Sequence, residues 1–346
     1  MSALMQIVSV IAPCRNERRY IEAFCDCVRA QELPEHWTLQ LVIADGLSDD
    51  GTREVLEHLS VVDPRILCID NPKRIVSTGL NCALKQSTGS VIVRMDIHTA
   101  YAPDYVAQCI ALLAETGADN VGGPWRAQAD DGANPMQMAV AAAFQSRWVA
   151  GGALSRNVDY NGWADTVYLG CWPRSTFERI GGFDEMLVRN QDDEHNLRLV
   201  RSGGRVWQSS RIRCTYHPRG SLRQVFRQYL QYGYWKPFVI RKHGQPASPR
   251  HLVPAAFVVL CLLLALAAIT GAPVWLLVGC LSIYVAAVGV MTMGVAGDLG
   301  GNIRAIVRVP AVIASYHIGY GLGSLMGWWD LMCYGEGRVQ FTTLTR

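Results

Sequence analysis

The sequence predicts an α/β domain, a mostly parallel sheet flanked by helices, followed by C-terminal transmembrane helices. Three observations predict it. Short apolar runs alternate with helically spaced segments through the first half of the 346 residues. Polar clusters follow the first, second and fourth of those runs. The last third contains two long stretches without a charge.

The elements follow in order. Ile7 to Ala12 is an apolar run of strand length, and Arg18 to Gln31 repeats Tyr20, Ile21, Phe24, Cys25 and Val28 at helical spacing. Leu39 to Ala44 is a second strand and Thr52 to Leu59 a second helix. Ile66 to Ile69 and Ser77 to Gln86 form the next pair, and Ser90 to Met95 is a fourth strand. Pro103 to Glu115 reads as a helix with proline in its first turn. Strands that alternate with short helices lie parallel and are covered on both faces.

In a parallel sheet the carboxyl ends of the strands share one edge, so the segments that follow them line one crevice. Here these are Pro13 to Glu17, Asp45 to Thr52 and Asp96-Ile-His98. Asp96 and His98 are two apart, and strand alternation would turn both to one face, as a divalent metal and a nucleotide require. The plain alternative is a strand-to-loop junction with two polar residues; three such loops on one edge favour a nucleotide-binding enzyme. Neither G-x-G-x-x-G nor a P-loop follows the first strand, so no glycine-rich backbone is available to cradle a diphosphate. A metal on Asp96 and His98, assisted by Lys73, Arg74 or Arg15, would neutralise it. Carboxylate oxygen suits Mg²⁺ or Mn²⁺, and the added imidazole moves the preference toward Mn²⁺.

Leu252 to Ala272 and Pro273 to Gly297 are uncharged, and each exceeds the roughly 20 apolar residues that cross a bilayer. A third stretch, about Ala305 to Trp329, carries Arg308, His317 and several glycines and reads as a packed span or a re-entrant segment. Lys236, Arg241, Lys242 and Arg250 precede the first span, and Arg304 and Arg308 follow the second. The positive-inside rule therefore places the N-terminal domain in the cytoplasm. Met1 to Gln6 lacks the basic start of a secretory signal. A net charge of +3 is too small to make nucleic acid a natural partner. The 11 cysteines form no C-x-x-C, and two of them, Cys261 and Cys280, lie inside apolar spans; they read as reduced thiols rather than disulfides or structural zinc ligands.

On these residues the chain resembles the family 2 glycosyltransferases of GT-A fold. Val8 to Glu17 is similar to the family's first-strand signature, Asp45 to Thr52 to its D-G-x-S-x-D-G-T loop, and Asp96-Ile-His98 stands where the family has D-x-D. Gly181 to Glu185 followed by Gln191 to Leu199 resembles its acceptor-side acidic motif. Asp165 to Gly170, Tyr216 to Ser221 and the C-terminal spans point to the membrane-attached bacterial exopolysaccharide type, similar to the succinoglycan glucosyltransferases.

The resemblance implies inverting transfer of one sugar from a nucleoside-diphosphate sugar, a UDP-sugar first among donors, to a lipid-linked saccharide at the bacterial cytoplasmic (inner) membrane. Pro13, Glu17 and Asp45 would hold the base and ribose, Asp96 the ribose and metal region, and His98 the metal, with Asp192 as general base. Asp192, Asp193 and Glu194 have a second reading, capping a helix that begins near His195. His217, before Pro218, is either a third metal ligand or structural. Two departures stand out: His98 replaces the last Asp of the metal motif, and Gln231-Tyr-Gly-Tyr234-Trp235 lacks the arginine of the processive Q-x-x-R-W, which favours single-sugar addition. A transferase acting directly on polyprenyl phosphate, or a nucleotide-sensing membrane protein without turnover, are the alternatives.

Ser221 to Trp235 repeats Leu222, Val225, Phe226, Tyr229, Leu230 and Tyr232 at helical spacing with Arg223 and Arg227 between them, the pattern of an interfacial helix in contact with membrane lipids or of a core-facing one. The expected organisation is thus a catalytic domain over 1–218, an amphipathic interfacial helix and linker over 219–250, and a multi-pass membrane domain over 251–346.

Overall fold

A computed structural model of the chain describes residues 5–337. Met1 to Leu4 of the N-terminal start, and the outer ends of the expected 1–218 and 251–346 segments, lie outside the described residues. The chain divides into two compact units, the first made of 1–126 and 154–216, the second of 127–153 and 217–346. Ala127–Ala153, well ahead of the expected division at 218, thus belongs with the second unit.

In the first unit the chain runs β1 (Gln6–Cys14), α1 (Ile21–Arg29), β2 (Trp37–Asp45), α2 (Thr52–Val62), β3 (Ile66–Asp70), α3 (Val76–Gln86), β4 (Val91–Arg94), β5 (Thr99–Tyr101), α4 (Tyr105–Thr116), β6 (Asn120–Gly123) and, at its boundary, β7 (Arg126–Ala127). The second unit's α5 (Pro135–Gln145) intervenes. The first unit resumes with β8 (Gly162–Ala164), β9 (Tyr168–Pro173), α6 (Arg174–Ile180), α7 (Gln191–Arg201), β10 (Val206–Gln208) and β11 (Cys214–Tyr216). Eight strands form one sheet in the order β3-β2-β1-β4-β9-β6-β10-β8, and β5, β11 and β7 form a small second sheet. The first four strands of the large sheet are parallel. Beyond them it is mixed, because β9 runs antiparallel to both of its neighbours.

The core explains the strand residues. Ile11, Val42, Ala44 and Ile92 turn from β1, β2 and β4 onto Leu80 and Ala83 of α3 and onto Trp172, Phe177 and Phe183, all buried. At about 25 cal/mol per Å² of apolar surface, each buried Val, Leu or Ile side chain here contributes roughly 1.5–3 kcal/mol. Strand order reverses between β1 and β4, since β2 and β3 continue on one side of β1 while β4 takes the other. This switch point is where an open α/β sheet leaves a crevice beyond its strand ends.

In the second unit α5 is followed by α8 (Leu222–His243), α9 (Val253–Ile269), α10 (Trp275–Ala296), α11 (Ile303–Ile306) and α12 (Val309–Cys333). Three helical segments, Pro249–Ile269, Trp275–Leu299 and Ile303–Cys333, are long and apolar enough to cross a membrane. The third is the most enclosed. Gly323 and Gly327 of α12 lie so close to α8 that an added Cβ would collide with the carbonyl oxygens of Leu230 and Tyr234. A Cβ added at Gly233 of α8 would likewise collide with the Tyr320 carbonyl oxygen. Small residues one turn apart let the two backbones touch. The Ser221 to Trp235 segment is therefore the start of a helix seated on α12, with Phe226 against Gly319.

Candidate active site

The first and second strand-end loops are laced together. Asp45 is fully buried; its carboxylate accepts from the Ser48 hydroxyl at 2.5 Å and the Ser48 amide at 3.1 Å, and Arg53 Nη1 stands 3.6 Å away. Ser48 Oγ in turn accepts from the Asn16 amide at 2.8 Å, Asn16 and Asp49 exchange two bonds, and the Glu17 amide donates to Thr52 Oγ1 at 2.8 Å. Asn16 and Leu47 take left-handed backbone, which lets these short loops fold against one another. Pro13, one residue before the end of β1, lies beside Gly79, and the Arg15 side chain packs across Gly46.

The third loop differs from the expectation. β4 ends at Arg94, and Ile97 and His98 lie in a turn, so strand alternation does not place Asp96 and His98 on one face. A tyrosine fixes Asp96 instead: Tyr101 Oη accepts from the Asp96 amide at 2.6 Å and donates to its carbonyl at 3.0 Å. The Asp96 carboxylate is held by Arg94, Nε to Oδ1 at 3.0 Å and Nη2 to Oδ2 at 3.1 Å. His98 is half-exposed, and its Nδ1 lies 3.7 Å from Glu17 Oε1, so the first and third loops do converge across the switch point.

Asp192 comes to the same guanidinium. Its Oδ2 is 3.9 Å from Arg94 Nη1, and its Oδ1 accepts from the Asp193 amide at 2.9 Å. Partial burial and then the neighbouring Asp193 push the Asp192 carboxyl above its usual range, while Arg94 opposes them. Asp192, Asp193 and Glu194 do not precede a helix that begins near His195; α7 begins at Gln191, so they form its first turn, where negative charge is favoured. Glu194 is fully buried and paired with Arg198, which also donates to the carbonyls of Ile180 and Gly182. Asn81 of α3 holds the other side of that loop through both the amide and the carbonyl of Phe183. The acceptor-like segment is thereby fastened at two places.

Two other expected residues, Lys73 and His217, are engaged elsewhere. Lys73 pairs at the surface with Glu185 at 2.7 Å, and Arg74 takes left-handed backbone in the turn before α3. His217 belongs to the second unit, where its Nδ1 lies 2.7 Å from Asp130 Oδ1. Arg94 was not among the expected residues. Its signal was a charge inside the apolar run Val91 to Met95, where a buried cation needs partners.

Among the described residues no three His, Cys, Asp or Glu side chains form a group that could hold a metal ion. A Mn²⁺ or Mg²⁺ ion that shares its coordination with a diphosphate needs only one or two protein donors. Asp96 and His98 each retain a donor atom of the kind such an ion takes. Each Asp96 oxygen directs one lone pair to Arg94 and keeps another, and the His98 ring is open to solvent.

Fold and loops together define an α/β unit whose three strand-end loops and carboxylates gather at its switch point, the place where such sheets take ligands. Residues 9–168 match the family described as Glycosyl transferase family 2. The succinoglycan biosynthesis protein ExoA of Rhizobium meliloti is 34% identical over 249 residues, which cover 71% of this chain and 74% of that protein. A dolichyl N-acetyl-alpha-D-glucosaminyl phosphate 3-beta-D-2,3-diacetamido-2,3-dideoxy-beta-D-glucuronosyltransferase of Methanococcus voltae is 24% identical, with 69% and 75% covered. Among solved structures, a mannosyltransferase of Pyrobaculum calidifontis, in complex with GDP-Man and Mn²⁺, aligns with a TM-score of 0.58 at 20% identity, covering 95% of this chain and 88% of that one. The chain belongs to glycosyl transferase family 2, has the GT-A fold and is a glycosyltransferase.

Proposed function

We propose that the protein is a metal-dependent inverting glycosyltransferase that adds one sugar from a nucleoside-diphosphate sugar to a lipid-linked saccharide, at the cytoplasmic face of a bacterial inner membrane, in exopolysaccharide assembly. The observation that carries this reading is that two carboxylates, Asp96 and Asp192, meet one buried arginine; in the reading Asp96 serves the donor and Asp192 the acceptor. The likeness to ExoA, named for succinoglycan biosynthesis, and the three apolar helices support the pathway and the lipid-bound acceptor.

In this reading Pro13, Glu17 and Asp45 hold base and ribose, with Arg15 and Arg74 near the diphosphate; Lys73 would have to leave Glu185 to join them. Asp96 and His98 would hold the ion, which when bound supplies positive charge to the leaving diphosphate. His217 stays outside this set because Asp130 engages it. Asp192 removes the proton from the acceptor hydroxyl. The oxygen's lone pair then forms the bond to C1, and the C1–O bond to the diphosphate breaks on the opposite face with its electrons leaving on the diphosphate. One displacement inverts the anomeric centre. The absent Q-x-x-R-W arginine supports single addition over polymerisation.

The test incubates the purified full chain in nanodiscs with UDP-, GDP- and TDP-sugars and lipid-extract acceptors, and identifies the product by mass. One added sugar on a lipid-linked saccharide with inverted configuration is expected. Transfer onto bare polyprenyl phosphate, or donor binding without turnover, would replace the reading.

A further inference from the structure

The geometry points to Arg94 as a positioning residue that ties the base, Asp192, to the donor-side carboxylate, Asp96, so that the two sides of the crevice are set by one guanidinium. This inference rests on the assignment of Asp192 as base. Three facts carry it. The Arg94 side chain is only 6% exposed, in the last position of β4 at the switch point. Two of its three nitrogens are spent on Asp96, which fixes the plane of the fork. The third, Nη1, is buried, has no hydrogen-bond partner among the described residues, and faces Asp192 Oδ2 at 3.9 Å.

That distance is about 1 Å too long for a hydrogen bond. A buried charged donor left unmade is costly, so Nη1 draws the Asp192 carboxylate toward it. Asp192 can respond, because its side chain is still 36% exposed and the Asp193 amide holds it through Oδ1, leaving Oδ2 on the side of Arg94. The charged groups that bear on Asp192 are Asp193, from its own helix, and Arg94, from β4. Asp193 disfavours a second negative charge there and Arg94 favours it. Loss of Arg94 therefore leaves the base both misplaced and easier to protonate. Lysine carries the charge but not the fork, so it restores one of the two functions.

The experiment measures kcat and donor KM against pH for the full chain in nanodiscs, as wild type, Arg94→Lys, Arg94→Met and Asp192→Asn. Arg94→Met is expected to lower kcat by about 100-fold or more and to move the acidic limb of the kcat profile upward by about one pH unit. Arg94→Lys should bring the limb back toward the wild-type position while kcat recovers only in part. An acidic limb unmoved in both variants would overturn the link. Arg94→Met could fail to fold, since it strands Asp96; Arg94→Lys then decides alone, and wild-type kcat in that variant refutes the fork's role. Full turnover in Asp192→Asn would instead refute the base assignment, which separates the two failures.

Discussion

His195 makes the stability of the catalytic unit depend on pH, and the size of the effect can be worked from its surroundings. The residue is fully buried on α7, with ring centroids 4.8 Å from Phe183, 5.2 Å from Phe177 and 5.8 Å from Trp172. Burial first, and the Arg198 charge second, depress its pKa from 6.5 to about 4, with Glu194 in partial opposition. In the unfolded chain the imidazole regains its ordinary value. Between these two values the unfolded state binds a proton that the folded state refuses, so stability is fully present above about pH 6.5 and is lost as pH falls toward 4. The whole displacement is worth roughly 3 kcal/mol at 1.36 kcal/mol per pH unit, and roughly 2 kcal/mol of it is gone by about pH 5. For a unit of this size that corresponds to a Tm lower by about 4–8 °C. His195→Phe keeps an aromatic ring in the slot and removes the titration. Tryptophan fluorescence melting at about pH 7 and about pH 5 reports the difference directly, because Trp172 abuts the ring. The wild type should lose about 4–8 °C more than His195→Phe over that interval. Equal losses in the two proteins would refute the argument.

Other outcomes follow from the same contacts. Gly323→Leu should lower the Tm of the membrane unit by about 10 °C or more or prevent its folding, whereas Gly279→Ala, which meets nothing within 4 Å, should leave it unchanged; detergent-extracted protein on size exclusion and melting curves checks both. Chelation should abolish transfer, added Mn²⁺ or Mg²⁺ should restore it, and His98→Ala should lose most activity in the same assay. Asp45→Ala removes the acceptor of two Ser48 bonds and should weaken nucleotide binding by about 10-fold in calorimetry while Asp192→Asn leaves it nearly unchanged. A reporter fused at Gly271 to Pro273 should read as outside the cytoplasm, and one at Met5 as inside.

Much of the fold was legible because its signals are local. The alternation of apolar runs and helical spacing through Ile7 to Glu115 marked the elements of the parallel half, and their polar ends marked the three loops that the sheet brings to one edge. The mixed half was not legible. β8 and β10 have only 3 residues each, and β9 takes its place between β4 and β6 through pairing partners about 50 to 80 residues away, which no window reveals. At the site, periodicity predicted a shared face for Asp96 and His98, but the strand stops two residues before Asp96. Tyr101 and Arg94, rather than the pleat, decide where those side chains stand. Arg94 itself was visible as a charge in an apolar run, yet its meaning depends on Asp192, nearly a hundred residues on.

The Ser221 to Trp235 helix shows why amphipathic spacing alone does not choose a partner. Val225 and Tyr229 are apolar residues at the spacing of an interfacial helix, yet they pack with Val309, Val312, Ile313 and Tyr316 of α12, with the rings of Tyr229 and Tyr316 stacked at 4.0 Å. The deciding residues are on the other helix. Gly319, Gly323 and Gly327 recur every fourth position and clear a strip along α12 on which the α8 backbone lies; in sequence these glycines suggest a packed or re-entrant span but not which helix packs there. Once the backbones touch, Tyr234 reaches the buried Asp330 with a 2.8 Å hydrogen bond, so a carboxylate inside the third span has a donor from the helix it packs against. Tyr234→Phe should therefore destabilise the α8–α12 pair by the cost of a buried carboxylate that loses a donor, about 1–3 kcal/mol. Asp330→Asn, which lowers that cost, should make the tyrosine change smaller. A double-mutant cycle on melting temperatures in detergent measures this coupling, and strictly additive losses would mean that the bond contributes nothing to the pairing.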